Sequence, residues 1–259
     1  MSGKNYGWLD RTRILIGDQA IQTLKNKSVA IFGIGGVGSY AAEALARSGV
    51  GTIHLIDKDI VDITNINRQL LALHSTVGKL KTEVMKARIL DINPDAKVIT
   101  YPIFFEKNNK DAFDFCKVDY VVDAIDTIDS KVFLICEAHR HGVPIISAMG
   151  AGNKLDPTRF HIDDLSRTGV CPLAKIMRRR LKEHGIENID VVYSREVPRQ
   201  IERIEHSTAD SDFPAYNVKR AVGSVSFVPS VVGLMMAGHV VNQFLDVLNH
   251  NQMSQSHSD

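Results

Sequence analysis

Residues 28–38, SVAIFGIGGVG, decide the fold of this chain. A short apolar run ends in the glycine cluster Gly33-Ile34-Gly35-Gly36-Val37-Gly38, and the small-residue stretch SYAAEALARSG follows at 39–49. This order predicts a strand, a tight turn and a helix. Glycines let the backbone approach a phosphate closely, and a helix N-terminus offers free N–H groups and a partial positive charge. The stretch therefore predicts a nucleotide-binding turn.

Apolar runs and helical patterns alternate beyond this turn as far as residue 147. A second run, TIHLID, ends at Asp57, from which a carboxylate commonly binds a ribose. Helices are predicted over 108–116 and 171–184 among others, and strands over RFHIDDL and DVVYSRE. The alternation predicts an α/β fold with a Rossmann-like, doubly wound and mainly parallel sheet, extended by antiparallel strands in the second half. We expect a single domain over 1–259, with a mobile loop at 199–220.

Composition restricts the cellular setting. The 259 residues carry a net charge of +1, are 44% hydrophobic and include three cysteines, none in a CxxC pair. That cysteine usage favours a reducing cytoplasm and predicts no zinc site. The N-terminus has no apolar signal core. Residues 221–241 lack Asp, Glu, Lys and Arg, but their many small residues predict a turn followed by a closely packed buried helix rather than a membrane span.

The residues after Asp57 indicate a triphosphate rather than a dinucleotide. Arg68, in an Asn-rich loop, could bind phosphates through paired donors, and Lys81 opens a helix where it could neutralise another phosphate. Asp126 follows the strand-like YVVDAID and could hold the magnesium of a nucleotide. A redox or sensor protein that binds NAD remains an alternative of another class. It would need a second mononucleotide-binding half, for which the chain has no clear fingerprint.

Four stretches, GIGGVGS, IDKDIVDITNINRQ, GKLKTEVM and VVDAIDTIDSK, closely resemble the ubiquitin-activating-like (ThiF/MoeB/HesA) adenylating superfamily. The resemblance implies binding of ATP and Mg²⁺ and transfer of AMP to a carboxylate. It assigns the phosphate border to Gly33, Gly35, Gly36 and Gly38, the ribose to Asp57 and Asp59, the phosphates to Asn65, Arg68 and Lys81, and Mg²⁺ to Asp126. It also implies a homodimer in which Arg13 of one subunit reaches the γ-phosphate bound by the other.

The second half resembles a narrower group, the tRNA threonylcarbamoyladenosine dehydratases. The resemblance rests on ISAMGAGNKLDPTRFHIDDLSRT, CPLAKIMRRRLK and VVYSRE, and with the first half it covers residues 8–248. It implies that the carboxylate of the threonine on a modified tRNA adenosine is adenylated and then cyclised with loss of water. The tRNA phosphates would contact the basic run Lys175, Arg178, Arg179, Arg180 and Lys182.

A same-fold alternative is an enzyme that activates the C-terminus of a ubiquitin-like sulfur carrier. Such enzymes usually carry two CxxC pairs, which this chain lacks. Cys171 precedes Pro172 and a predicted helix, where it could be activated, but intramolecular ring closure needs no catalytic cysteine. Lys219-Arg220-Ala221 stands where some relatives have a cysteine, which disfavours a persulfide relay; a sulfur-transfer partner protein remains open. Cys116 and Cys136 are expected to be core residues of helices.

Overall fold

The structure, a computed structural model, describes residues 7–200 and 222–255, with side chains to residue 248. Within those residues a seven-stranded sheet is covered by helices on both faces. The strands are β1 Ser28–Phe32, β2 Thr52–Ile56, β3 Lys97–Tyr101, β4 Tyr120–Asp123, β5 Ile145–Ala148, β6 Phe160–Asp164 and β7 Asp190–Ser194. The helices are α1 Asp10–Lys25, α2 Gly38–Arg47, α3 Lys81–Ile92, α4 Ile128–Arg140, α5 Pro172–Lys182 and α6 Pro229–Gln255.

The strand order is β3-β2-β1-β4-β5-β7-β6. All neighbours run parallel except β6, which pairs antiparallel with β7. The order reverses direction between β1 and β4, where Phe32 lies level with both Ile56 and Asp123. Ligands of open α/β sheets bind in the crevice outside the carboxyl ends of the strands at such a reversal. The predicted fold class is therefore confirmed, and it fixes the edge at which a site is expected.

Two apolar cores hold the helices on the sheet. The first lies under α2, α3 and α6, and the second lies under α4 and α5. The second core contains an aromatic cluster in which Phe32 packs against Phe105 and Phe113 with ring centroids 5.1 Å apart in each pair. Full burial of each such side chain contributes about 1.5–3 kcal/mol. The strands that end at the crevice are thus fixed from both faces.

Helix α6 packs closely on α2, as its small residues predict. A Cβ on Gly233 would lie 2.3 Å from the Val37 carbonyl oxygen, so only glycine permits this approach. Val232, Met236 and Val240 of the same helix are fully buried in the first core. By length and composition Pro229–Leu248 could span a membrane, and a third of that window is buried in the fold. The described part of the predicted helix therefore uses one face to cover the sheet.

The prediction of a helix over 108–116 is wrong. Two short 3-10 segments, Lys107–Ala112 and Phe115–Lys117, occupy this region. The Asn109 side chain accepts the Glu106 N–H at 2.8 Å and donates to the Phe104 carbonyl at 2.6 Å, so it competes with helical backbone bonding. The expectation that Cys116 is a core residue is also wrong, because it is exposed. Most of the predicted mobile loop at 199–220 lies outside the described residues.

Candidate nucleotide-binding site

A cavity of about 630 Å³ opens at the carboxyl ends of β1, β2, β4 and β5. Its glycine wall is formed by Gly33, Gly35, Gly36 and Val37, and its far wall by residues 150–152 together with Val222 and Ser224. Between the walls lies the loop that follows β4, residues 124–127. The volume lies within the usual range for small-molecule and cofactor sites.

The glycine wall depends on close backbone contacts. Gly33 has a φ of +86°, and a Cβ there would lie 2.7 Å from the Ala124 carbonyl oxygen. A Cβ on Gly38 would lie 1.8 Å from the Gly33 carbonyl oxygen. Any larger residue at either position would push the turn away from the β4 loop or from the start of α2. The two glycines therefore set the approach of the turn to the helix N-terminus.

Asp57 supports the glycine wall from β2. Its carboxylate accepts the Ile34 N–H at 2.6 Å and the Asp59 N–H at 2.8 Å. Burial raises the pKa of this carboxyl, while those N–H donors and the charge of Lys81 act in the opposite direction. The side chain lines the cavity and retains acceptor capacity for a hydroxyl group.

Two cations stand beside the glycine wall. Lys81 is 5% exposed, and its Nζ lies 3.0 Å from the Asp59 carboxylate, which is half-exposed. Arg68 packs against Gly36 and donates to the Thr64 carbonyl and the Asn67 side chain, each at 2.9 Å. Both residues line the cavity. Lys81 is balanced by Asp59, whereas Arg68 has no ion-pair partner among the described residues, and together with the N–H groups of the glycine turn the two cations offer donors that a polyphosphate can bind.

A buried ion pair holds the loop between the walls. Lys131, fully buried, donates to the Asp123 carboxylate at 2.7 Å and to the Ser147 hydroxyl at 3.1 Å. The other Asp123 oxygen accepts the Ile125 N–H at 3.1 Å. Asp126, next in the loop, is exposed to the cavity, and within the described residues it pairs with no cation. The Asp126 carboxylate, which accepts only the Thr127 hydroxyl at 3.3 Å among the described residues, therefore faces the cavity from a loop that the buried ion pair holds in place.

The far wall is held by contacts between distant parts of the chain. Lys154 is 4% exposed and donates to the carbonyls of Gly150 and Gly152 at 2.8 and 3.3 Å. Burial lowers the pKa of its ammonium, and the neighbouring Cys171 and Glu196 oppose that shift. Asn153, at a φ of +58°, exchanges two hydrogen bonds with Gly223.

The structure brings most of the predicted site residues together. Those that line the cavity are Gly33, Gly35, Gly36, Asp57, Asp59, Arg68, Lys81 and Asp126. Gly38 lies behind the turn, and Asn65 is buried in a capping box with Asp62. Arg13 lies on the exposed side of α1, where it pairs with Asp10 and Asp18 at 2.6 and 2.7 Å. These three residues do not contact the cavity of their own chain.

The basic run on α5 divides into two groups. Arg178 donates to the Leu165 and Thr168 carbonyls and to the Thr168 hydroxyl, so it closes the preceding loop. Arg180 pairs with Asp129 at 2.9 Å. Lys175, Arg179 and Lys182 are exposed, and α5 begins beside the cavity, where Leu173 lines the far side. Lys182 also pairs with Glu187 at 3.8 Å, but both side chains are exposed, so all three residues are accessible to a polyanion.

The cysteines do not line the cavity. Cys171 is 3% exposed and sits at the N-cap of α5 behind Gly150. Cys136 is half-buried in α4, and burial raises the pKa of its thiol. Within the residues that have described side chains, no three His, Cys, Asp or Glu groups cluster as a metal site.

Sequence reasoning missed three features of the site. Gln69 is 7% exposed and lines the cavity, and its Oε1 has no hydrogen-bond partner among the described residues. Lys58 lies 4.4 Å above the Phe104 ring, and both line the cavity after β2 and β3. The third feature is Lys154, which is buried behind the far wall. Lys58, Gln69 and Lys154 all stand in the motifs that carry the family resemblance, but the burial and contacts of their side chains could not be read from those motifs.

Similarity to known proteins agrees with this geometry. Residues 9–257 match the ThiF family, to which this chain belongs. The chain is 49% identical to the tRNA threonylcarbamoyladenosine dehydratase of Bacillus subtilis, over 91% of this chain and 93% of that protein. The crystal structure of the Escherichia coli tRNA N6-threonylcarbamoyladenosine dehydratase in complex with ATP matches with a TM-score of 0.81 and 34% identity, covering 93% of this chain and 95% of that one. The AMP complex of the same protein matches with a TM-score of 0.82.

Proposed function

We propose that this chain is an ATP-dependent tRNA threonylcarbamoyladenosine dehydratase that acts through an acyl-adenylate. The observation that carries the proposal is a single cavity with a cationic glycine wall for a triphosphate and a separate wall for an acceptor. Relatives of that name cover nearly the whole chain, and the E. coli protein binds ATP and AMP. We treat residues 1–259 as one adenylation unit that acts in the cytoplasm.

The reaction needs activation because a carboxylate is a poor electrophile. An oxygen of the threonine carboxylate attacks the α-phosphorus of ATP, and pyrophosphate leaves. A nucleophilic atom of the same modified side chain then attacks the acyl carbon, loses its proton and expels AMP, which keeps the carboxylate oxygen. Arg68 and Lys81 stabilise the charge that develops on the phosphates. Ring closure within one side chain has a high effective concentration, so the enzyme needs no nucleophile of its own.

The cavity residues suit ATP with Mg²⁺. Asp57 offers a carboxylate to the ribose, and Phe104 offers an apolar face to a base. Mg²⁺ is commonly held by one or two carboxylates plus substrate phosphates rather than by a full protein cage. Asp126, exposed to the cavity without a cation partner among the described residues, fits that role. When bound there, the ion would neutralise phosphate charge.

A homodimer would complete the site. Arg13 lies on an exposed surface of α1 that also includes the next two residues, Ile14 and Leu15, which are 80% and 84% accessible. Apolar side chains that are this exposed side by side are typical of a contact surface. Packing of this surface against a second copy would bring Arg13 to the γ-phosphate bound by the partner subunit.

The tRNA would lie along α5 and the cavity mouth. Lys175, Arg179 and Lys182 offer phosphate contacts that supply affinity without reading sequence. Arg178 belongs to the fold, so we do not expect it to contact tRNA. A sulfur-transfer partner is less well supported than tRNA, because the described cysteines do not line the cavity.

Mass spectrometry of the tRNA nucleosides tests the proposal. The protein is incubated with ATP, Mg²⁺ and threonylcarbamoyl-modified tRNA, and the digested nucleosides are weighed. We expect the modified nucleoside to lose one water while AMP appears in equal amount, and unmodified tRNA to yield no AMP. Pyrophosphate exchange that depends on a small protein with a Gly-Gly tail would instead support the sulfur-carrier activator. NAD binding without Mg²⁺ would support the redox or sensor class.

A further inference from the structure

Lys154 is a buried cation that has no carboxylate within ion-pair distance in the part of the chain that the structure describes, although the charge of Glu196 acts on it from further away. Its ammonium donates only to the neutral carbonyls of Gly150 and Gly152, at 2.8 and 3.3 Å. A buried charge that is solvated by carbonyls alone costs free energy compared with an apolar residue. Stability of the fold is therefore a poor explanation for a lysine here, and its two acceptors indicate what it does.

The two hydrogen bonds orient two peptide planes. Described peptide bonds are all trans, and in a trans peptide the C=O and the next N–H point in opposite directions. Because the Gly152 carbonyl points towards Lys154, the Asn153 N–H points away from it, and it donates to the Gly223 carbonyl at 2.8 Å. This plane ties residues 222–224 into the far wall.

The other plane leaves a donor for a ligand. Because the Gly150 carbonyl also points towards Lys154, the Ala151 N–H points away from the buried ammonium. Within residues 7–200 and 222–248 this N–H has no acceptor, and Ala151 lines the cavity. A backbone donor with a buried cation behind it favours a negatively charged group in the cavity.

We propose that Lys154 is a positioning residue that aims the Ala151 N–H at the carboxylate to be adenylated. This inference rests on the proposed function, which supplies the acid on tRNA. Arg68 and Lys81, which are assigned to the triphosphate, lie beside β1 and β2. The far wall follows β5, and Asp126 and β4 lie between the two sides. The acceptor carboxylate therefore approaches the α-phosphate from the side that Lys154 holds.

Two variants separate the hydrogen bonds from the charge. Lys154→Met keeps the length of the stem and removes every donor, whereas Lys154→Gln removes the charge and keeps two N–H donors. At saturating ATP we expect Lys154→Met to raise the KM for modified tRNA by about tenfold, as for a lost hydrogen bond to a charged group. Its Kd for ATP and for unmodified tRNA should stay within about twofold. The KM of Lys154→Gln for modified tRNA should lie close to that of the unaltered enzyme.

A measurement on the unaltered protein keeps the proposal testable if Lys154→Met does not fold. Hydrogen exchange of a peptide that covers Ala151 should slow when modified tRNA and a non-hydrolysable ATP analogue are added, and not with unmodified tRNA. The proposal is overturned if hydrogen exchange does not differ between the two tRNAs. It is also overturned if Lys154→Met leaves the KM for modified tRNA unchanged, or weakens ATP binding as much as it raises that KM. A KM for Lys154→Gln as high as that for Lys154→Met would overturn it as well. Failure of the proposed function is distinct, because the unaltered enzyme would then release no water from the nucleoside.

Discussion

The glycine wall and the far wall of the cavity are built in different ways. In the turn of the glycine wall, backbone atoms that are only a few residues apart lie in contact. An example is Gly38, at the start of α2, which packs against the Gly33 carbonyl. In the far wall, side chains join distant segments, as when Asn153 binds Gly223 across 70 positions. Local geometry of the first kind tolerates no Cβ, whereas the second kind depends on single hydrogen bonds. Substitutions in the two walls should therefore have different effects on stability and activity.

The buried Lys131–Asp123 pair lies between the walls, and its loss should have the largest effect on stability. Lys131→Met leaves the fully buried Asp123 carboxylate uncompensated, which should lower the free energy of unfolding by about 3–5 kcal/mol. Urea denaturation measures the change. The exposed Lys110→Met is the matched control and should stay within about 0.5 kcal/mol. If Lys131→Met were equally mild, the loop that carries Asp126 would not depend on this pair.

Arg68→Ala should abolish most turnover while the fold remains intact. Loss of one preorganised donor to developing charge lowers kcat by about 10²–10³-fold. AMP release with modified tRNA gives the rate, and the melting temperature should change little because Arg68 bonds only to neighbouring loop groups. Arg178→Ala should show the opposite pattern, with a lower melting temperature, because its donors close a loop. Normal turnover by the Arg68→Ala variant would show that the triphosphate does not bind at the glycine wall.

The turn of the glycine wall could be predicted from sequence because its strand, glycines and helix are consecutive, whereas the close approach of Gly33 to the distant Ala124 could not. The turn at 33–38, the strand that ends before Asp57 and the later Asp126 follow from short periodic patterns, and the structure brings them to one edge of the sheet. The far wall could not be predicted in this way. Nothing near GAGNK indicates that Lys154 is buried or that Gly223 lies beside Asn153, because those contacts depend on how β5, β7 and α6 pack.

The helix predicted over 108–116 failed for a related reason. The side chains of Asn109 and Asp114 bond to nearby backbone N–H groups and interrupt an otherwise helical pattern. The roles of Asn65 and Arg178 illustrate the same limit. A motif identifies the residue type, but capping of a loop by Asn65 and closure of a loop by Arg178 depend on packing.

Acid should destabilise the core beneath the glycine wall through His54. This residue lies on β2, is 2% exposed, stacks on Tyr101 and makes an edge-to-face contact with Phe113. Burial, with the charges of Lys97 and Lys117, lowers its pKa from 6.5 to about 4. The unfolded chain binds the proton below pH 6.5 whereas the folded chain does not, so stability is retained above that pH and falls as pH decreases towards 4.

Between pH 7 and pH 5 this single titration should lower the free energy of unfolding by about 2 kcal/mol. Carboxylates also titrate towards pH 4, so the test is a comparison with His54→Gln. Denaturation at both pH values should show that the variant loses about 2 kcal/mol less than the parent. Equal losses would mean that His54 is protonated in the fold or is not buried in solution.

The smallest effect is expected for Cys171→Ala, which distinguishes a structural far wall from a catalytic one. Cys171 is buried behind Gly150, and truncation to alanine removes one sulfur atom from a packed site, at a cost of about 1 kcal/mol. Activity should remain within about threefold, since ring closure uses a nucleophile of the substrate. The half-buried Cys136→Ala, far from the cavity, is the matched control. A folded Cys171→Ala enzyme that released pyrophosphate but neither AMP nor the dehydrated nucleoside would identify Cys171 as an acyl acceptor, because transfer of the acyl group to a thiol is then the step that expels AMP. The far wall would then hold a thioester, and the orientation of the Ala151 N–H would serve the acyl oxygen rather than the free carboxylate.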